Sequence, residues 1–216
     1  MVALAPTRAA AAPVLVLPGT ANQSVAITSS ANAGLTNPGT LLASLTQLYS
    51  IASGAGGTIV GSVTSAVYRN SLGFVDFYYQ ITNTTASTNV NLSISGITAR
   101  NFGGYSTSVG YYSNASVFGG LFGAPTAGVV PKSADRSADG NNVNMWFGPP
   151  WGNKVFPGQT SAILQIATNG RNWGWGSATV QNHGIATVRS FQVPEPASAA
   201  VALLGFALLG LRRRRS

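Results

Sequence analysis

The sequence predicts an all-β protein: an antiparallel β-sandwich or jelly-roll-like ectodomain followed by a short C-terminal transmembrane helix. Three observations point there. Only 7% of the 216 residues are charged, and the chain is rich in Gly, Ser, Thr, Asn, Val and Ala, a composition suited to strands and turns. Apolar residues recur with period two in segments divided by turn residues, at spacings of roughly 8 to 15 residues. No amphipathic helix is legible before residue 193, whereas the last twenty residues hold an uncharged apolar run closed by four arginines. With both ends set aside, about 170 to 180 residues remain, enough for one domain with a real core.

In chain order, Gln23 to Ser29 reads as a first weak strand and Asn32 to Gly39 as a turn-rich loop. Leu41 to Ile51 is ambiguous, since Leu41, Leu45 and Leu48 would share a helical face; its Ser and Thr content and its surroundings favour a strand. Thr58 to Tyr68 sets Ile59, Val63 and Val67 on one face. Leu72 to Thr82 sets Val75, Phe77, Tyr79 and Ile81 on one face and Asp76, Tyr78 and Gln80 on the other, and R-N-S between the two segments predicts a hairpin. Val90 to Ile97 follows with Val90, Leu92 and Ile94 inward, and Tyr105 to Tyr112 alternates again. Ser113 to Gly158 reads as irregular, Gln159 to Thr168 as a strand, and Ser177 to Val193 as one or two more, broken near Asn182 to Gly184.

The chain divides into residues 1–20, 21–193 and 194–216. The first stretch is expected to be an export signal, yet an atypical or truncated one: it lacks a charged n-region, Arg8 interrupts the apolar segment, and Val14 to Leu17 is too short for an h-region. That pattern suggests that the true start lies upstream of Met1. In the last stretch Pro194 and Pro196 bracket Glu195 in an extended peptide, so a helix can begin only beyond Pro196. Ala197 to Leu211, with Leu203, Leu204, Phe206, Leu208, Leu209 and Leu211 as its bulk, would span about 22 Å as a helix against roughly 30 Å of hydrocarbon. Such a run suits a short or temporary anchor. Arg212, Arg213, Arg214 and Arg215 would stay cytoplasmic and leave the body on the far side.

The succession V-P-E-P-A-S, a short Leu/Ala/Gly run and a terminal arginine cluster, complete over Val193 to Arg215, resembles the PEP-CTERM sorting signal of Gram-negative bacteria. The resemblance implies that Pro194, Glu195 and Pro196 form a processing motif, recognised by an exosortase-type membrane transpeptidase that cleaves near it. It also implies transient anchoring in the inner membrane, then a place at the cell surface or outside, in association with exopolysaccharide or biofilm. The body resembles a recurrent type of PEP-CTERM ectodomain through T-S-A-V-Y-R-N (Thr64 to Asn70), D-F-Y-Y-Q-I-T-N (Asp76 to Asn83), S-A-D-R-S-A-D-G (Ser133 to Gly140) and P-G-Q-T-S-A-I-L-Q-I-A-T-N (Pro157 to Asn169). Proteins of that type have no assigned catalysis.

Little in the body suggests chemistry. The formal charge of +8 divides into +3 after Val193, four arginines less Glu195, and +5 before it; the body's bases are scattered, a poor footprint for nucleic acid. There is no cysteine, so neither disulfides nor thiolate metal sites can form. The single histidine, His183, lies in a turn-like Q-N-H-G; a triad would need Asp76 and a serine, and no G-x-S-x-G elbow occurs. Asp135 and Asp139 are the only neighbouring carboxylates. They offer a weak calcium candidate without EF-hand spacing, and a D-G turn explains them more simply. No cofactor is expected.

All four tryptophans lie in two Gly- or Pro-rich clusters, Trp146 with Trp151 and Trp173 with Trp175, each near a base. Exposed indoles there would stack on sugar rings; buried ones would plug the open end of the sandwich, as most tryptophans do. The expectation is therefore an exported, non-enzymatic surface or matrix protein, with a carbohydrate-binding module as the alternative and a polysaccharide-acting hydrolase behind both.

Overall fold

The structure is a computed structural model that describes residues 13–20, 37–53, 56–88, 92–148, 154–182 and 184–194. Among them the chain is all-β, with one 3-10 turn at Ser116–Phe118. Twelve strands occur: β1 (Val14–Leu15), β2 (Thr40–Ala52), β3 (Thr58–Arg69), β4 (Val75–Asn83), β5 (Gly96–Ala99), β6 (Thr107–Tyr112), β7 (Ser133–Arg136), β8 (Val143–Trp146), β9 (Gln159–Thr160), β10 (Ile163–Thr168), β11 (Gly174–Gln181) and β12 (Ile185–Gln192). They form two antiparallel sheets, β1-β6-β10-β4-β3-β2 with β9 on β4, and β12-β11-β5-β8-β7.

Period-two patterning decides which faces meet. Ile59, Val63 and Val67 of β3, with Val75, Phe77, Tyr79 and Ile81 of β4, join Ile97, Val143, Met145, Ala178 and Val180 from the other sheet in one buried cluster, as expected for β3 and β4. Phe77 meets Phe102 edge-on at 5.3 Å, and the Tyr79 hydroxyl donates to the Phe191 carbonyl of the second sheet at 3.1 Å. The polar-looking face of β4 is buried as well. Tyr78, with Tyr68, Tyr112 and Ile163, is covered by Phe118 and Phe122, whose rings meet their neighbours edge-on at 5.0 to 5.7 Å.

Leu41 to Ile51 is a strand, the core of the long β2. Elsewhere side chains redraw the expected bounds. The β3–β4 hairpin turns on Asn70, whose Oδ1 accepts the N–H groups of Leu72 (3.0 Å) and Phe74 (3.1 Å). Those donors are thereby withdrawn from the ladder, so β4 begins at Val75, three residues late, and Leu72 projects from the turn with 73% of its surface exposed. Ser161 splits the expected strand 159–168 in two, its Oγ accepting the Ile81 N–H that a continuous ladder would pair with a backbone carbonyl. Gln23 to Ser29 and residues 89–91 lie outside the described residues; Ile94 makes an isolated bridge to Val155, and β5 starts only at Gly96.

The interval 113–158 is not wholly irregular. Ser133–Arg136 and Val143–Trp146 pair as a hairpin at the edge of the five-stranded sheet. Its turn is held by Asp139, which accepts from the Ser137 hydroxyl (2.5 Å) and the Asn141 N–H (3.0 Å), and by Gly140 at φ +73°. Alternation over four residues is too short to stand out among so many turn-forming side chains.

Within the stretch read as an export signal, Val14–Leu15 pairs with β6 and Val16 is fully buried. The anchor is Arg136, itself 2% exposed. Its guanidinium donates to four carbonyls: Gly140 (2.9 Å), Val16 (3.3 Å), Phe102 (2.7 Å) and Tyr105 (2.8 Å). Burial lowers its pKa, while the nearby Asp139 acts the other way. Because the guanidinium serves several orphan carbonyls at once, Arg136→Ala should lower stability by about 3 kcal/mol or more, and Arg136→Lys, which keeps charge but not the planar fork, by less. Urea unfolding of the three proteins compares them.

Candidate functional site

Two surfaces carry organised polar chemistry, one on the outer side of each sheet. The first is a cavity of about 640 Å³ where β3, β4 and β10 meet the segments at residues 13 and 37–40. Asp76, Tyr78, Tyr112 and Gln165 line it, with Leu72 and Pro38 among its apolar members. The antiparallel register places Asp76 beside Tyr68 of β3 and Ala167 of β10, so its carboxylate leaves the sheet on the face opposite the main core. It is 5% exposed. Asn70 Nδ2 donates to Oδ1 at 3.2 Å and Gln165 Nε2 to Oδ2 at 3.5 Å; the same Gln165 nitrogen donates to the Tyr78 hydroxyl at 3.2 Å. Burial pushes the Asp76 pKa up to about 6, against the opposing pull of its hydrogen bonds from Asn70, the Thr168 backbone and Gln165. Tyr78 is raised well above its ordinary value by burial and by the neighbouring Asp76 charge, and burial raises Tyr112 to about 12.

The second surface is the outer face of the five-stranded sheet. Register sets Thr187, Thr179, Thr98, Asn144 and Asp135 side by side across β12, β11, β5, β8 and β7. Thr179 and Thr187 share a hydrogen bond at 3.2 Å, Thr98 donates to Asn144 Oδ1 at 2.5 Å, and Asn144 Nδ2 donates to Asp135. Gln181 donates to Thr98 from the adjacent row. Trp146 is half-buried over this face, its Nε1 donating to Asp135 Oδ2 at 2.7 Å. A Cβ on Gly96 would come within 2.6 Å of the indole, so the glycine lets the ring lie across the neighbouring strand.

Among the described residues, the tryptophans do not converge. Trp173 and Trp175 sit at the start of β11, six residues and roughly 20 Å along the sheet from the row that holds Trp146. Trp173 meets the buried Phe191 edge-on at 5.3 Å, and Trp175 stacks on it at 5.1 Å. Trp175 is 51% exposed, with the Arg189 guanidinium 3.8 Å from its ring centre. Trp151 lies outside the described residues, as does His183. The triad considered for His183 with Asp76 therefore also falls outside the described residues.

Asp135 and Asp139 do not form one site either. The first is engaged on the sheet face and the second caps the β7–β8 turn, and no group of three or more metal-ligating side chains occurs among the described residues. Asn70, Tyr112 and Gln165 were not singled out by sequence, although the polar side read for β4 already held Asp76 and Tyr78.

At the C-terminal end β12 runs straight into the tail. Val193 is buried, and the Tyr105 hydroxyl donates to the Pro194 carbonyl at 2.8 Å. Residues 192–216 match the PEP-CTERM protein-sorting motif. No curated protein and no solved structure matches the chain. The PEP-CTERM motif implies an exported protein processed by an exosortase at the membrane, and it covers the expected processing signal and anchor. Glu195 to Ser216 lie outside the described residues, and with them the expected transmembrane helix.

The Asp76 cavity has a measurable signature. Because the folded-state pKa lies above the ordinary value of 3.8, the native protein holds a proton that the unfolded chain has lost between about pH 4 and 6. Stability should therefore fall as pH rises through that window, by about 1.4 kcal/mol per unit of pKa difference. In Asp76→Asn this pH-dependent component should vanish, so that the change in stability between pH 4.5 and 7 is smaller than in the parent. Thermal unfolding of both proteins at pH 4.5 and 7 measures it.

Proposed function

We propose that this chain is an exported, non-enzymatic surface or extracellular-matrix protein, handed to an exosortase-type transpeptidase by its C-terminal tail. The PEP-CTERM match at 192–216 is the observation that carries this. In this proposal Ala197 to Leu211 holds the chain transiently in the inner membrane, Arg212 to Arg215 stop it on the cytoplasmic side, and cleavage near Pro194 to Pro196 leaves the body at the cell surface or outside, in association with exopolysaccharide or biofilm. The fold is compatible with such a cut. The last strand ends at Gln192 and the last buried side chain described is Val193, so cleavage beyond Pro194 removes no described core residue. Mass spectrometry of the mature surface form should find a C-terminus close to Pro194 to Pro196, with the apolar run and the arginines gone. An intact arginine end on that form would refute the processing route.

A second role, carbohydrate binding, is favoured by one observation on the five-stranded sheet. Trp146 lies over Gly96 with its N–H held by Asp135, beside a row of hydroxyl and amide groups, an arrangement suited to stacking one sugar of an extended chain and bonding the next. Trp173 and Trp175 are less suited, since their rings are engaged with Phe191 and Arg189. Binding to the producer's own polysaccharide should fall at least tenfold in Trp146→Ala and change little in Trp175→Ala. Sedimentation with the polymer compares the variants, and equal binding by parent and Trp146→Ala would exclude this face.

A further inference from the structure

We infer that the cavity over Asp76 is a binding site for a neutral sugar, held through hydroxyl groups that meet carboxylate, amide and phenol groups on its floor. This goes beyond the function proposed from the tail, and it is independent of the Trp146 face, which lies on the opposite sheet.

The size is suitable. About 640 Å³ falls within the roughly 300–1,000 Å³ of small-molecule sites. The floor then selects the ligand. Asp76 presents a buried carboxylate whose oxygens are approached by the N–H groups of Asn70 and Gln165, and the Gln165 amide leads on to the Tyr78 hydroxyl. Acceptor and donor groups therefore alternate within a few ångströms of one another. An alcohol suits this pattern because its hydroxyl can donate to the carboxylate and accept from the second N–H of the Asn70 amide or from the Tyr112 phenol, which also line the cavity. A phosphate or carboxylate ligand would face the Asp76 charge. A metal ion or ammonium group would have to settle against N–H groups already directed at the same oxygens. Pro38 and Leu72, at the edge of the cavity, supply apolar surface for the C–H face of a sugar ring.

Arg69 and three tyrosines are the other ionisable groups near the cavity. Arg69 lines it, and its Nη1 donates to the carbonyls of Gly73 (2.9 Å) and Arg171 (3.2 Å). Tyr68, Tyr78 and Tyr112, from β3, β4 and β6, have pKa values raised by burial and remain neutral near pH 7. Asp76 is thus the group facing the cavity that titrates near neutrality, with a pKa of about 6. Its ionised form is the better acceptor, so affinity should rise from pH 5 to pH 7.5.

The test uses the full chain in a zwitterionic detergent without a sugar headgroup. Titration calorimetry is run with glucose, galactose, mannose, cellobiose and maltose, with glucuronate and glucosamine as charged probes. At least one neutral sugar should bind saturably, more tightly at pH 7.5 than at pH 5. Asp76→Asn should weaken that binding tenfold or more. Leu72→Arg, placed on an exposed turn where folding is not at stake, should weaken it similarly by crowding the entrance, and it decides the matter if Asp76→Asn does not fold. Saturation by none of the neutral sugars, binding of a charged probe alone, or unchanged affinity in Leu72→Arg would overturn the assignment.

Discussion

The buried guanidinium of Arg136 is the interaction on which the rest of this sandwich depends. A chain without cysteine, and with few charges, must close its sheets by packing and by satisfying the backbone groups that packing isolates. At the β1–β7 end, carbonyls from residues 16, 102, 105 and 140 converge where regular strand pairing cannot serve them all. One planar side chain with five donors does so. The link holds the N-terminal strand on one sheet, the 101–106 turn and the β7–β8 hairpin in a single arrangement.

Both polar surfaces follow from that closure. The β7–β8 hairpin carries Asp135 and Trp146 onto the outer face of the five-stranded sheet, where antiparallel register lines up Thr187, Thr179, Thr98 and Asn144 beside them. On the other sheet, Phe118 and Phe122 bury one end of the β4 outer face, and the segment before β1 reaches the cavity at Pro13. Asp76 therefore sits at the boundary between a small aromatic core and a concave polar site. Desolvation by that core raises its pKa, and the cavity gives its oxygens access to a ligand.

The sorting tail and the body are joined without a spacer. β12 contributes its whole length to the five-stranded sheet, Val193 is buried, and Pro194 is tied to Tyr105, so the boundary between folded body and processing motif is a single residue wide.

The sequence alone determined the all-β class, the hairpin of β3 and β4, the inward faces of those strands and the sorting address, because each is written in local periodicity or in a contiguous motif. It placed Asp76, Tyr78 and Gln80 on one side of β4 but could not say what lay over them. The strands at Ser133–Arg136 and Val143–Trp146 escaped it, since the second is fixed by pairing with the distant β5 and four alternating residues carry little signal. Tertiary structure alone brought Gln165, Asn70 and Tyr112 to Asp76, separated Trp146 from Trp173 and Trp175 along the sheet, and turned a scattered arginine into the clasp of the sandwich. Most of these depend on contacts between residues distant in sequence, up to 120 positions apart for Arg136 and Val16, that no local pattern encodes.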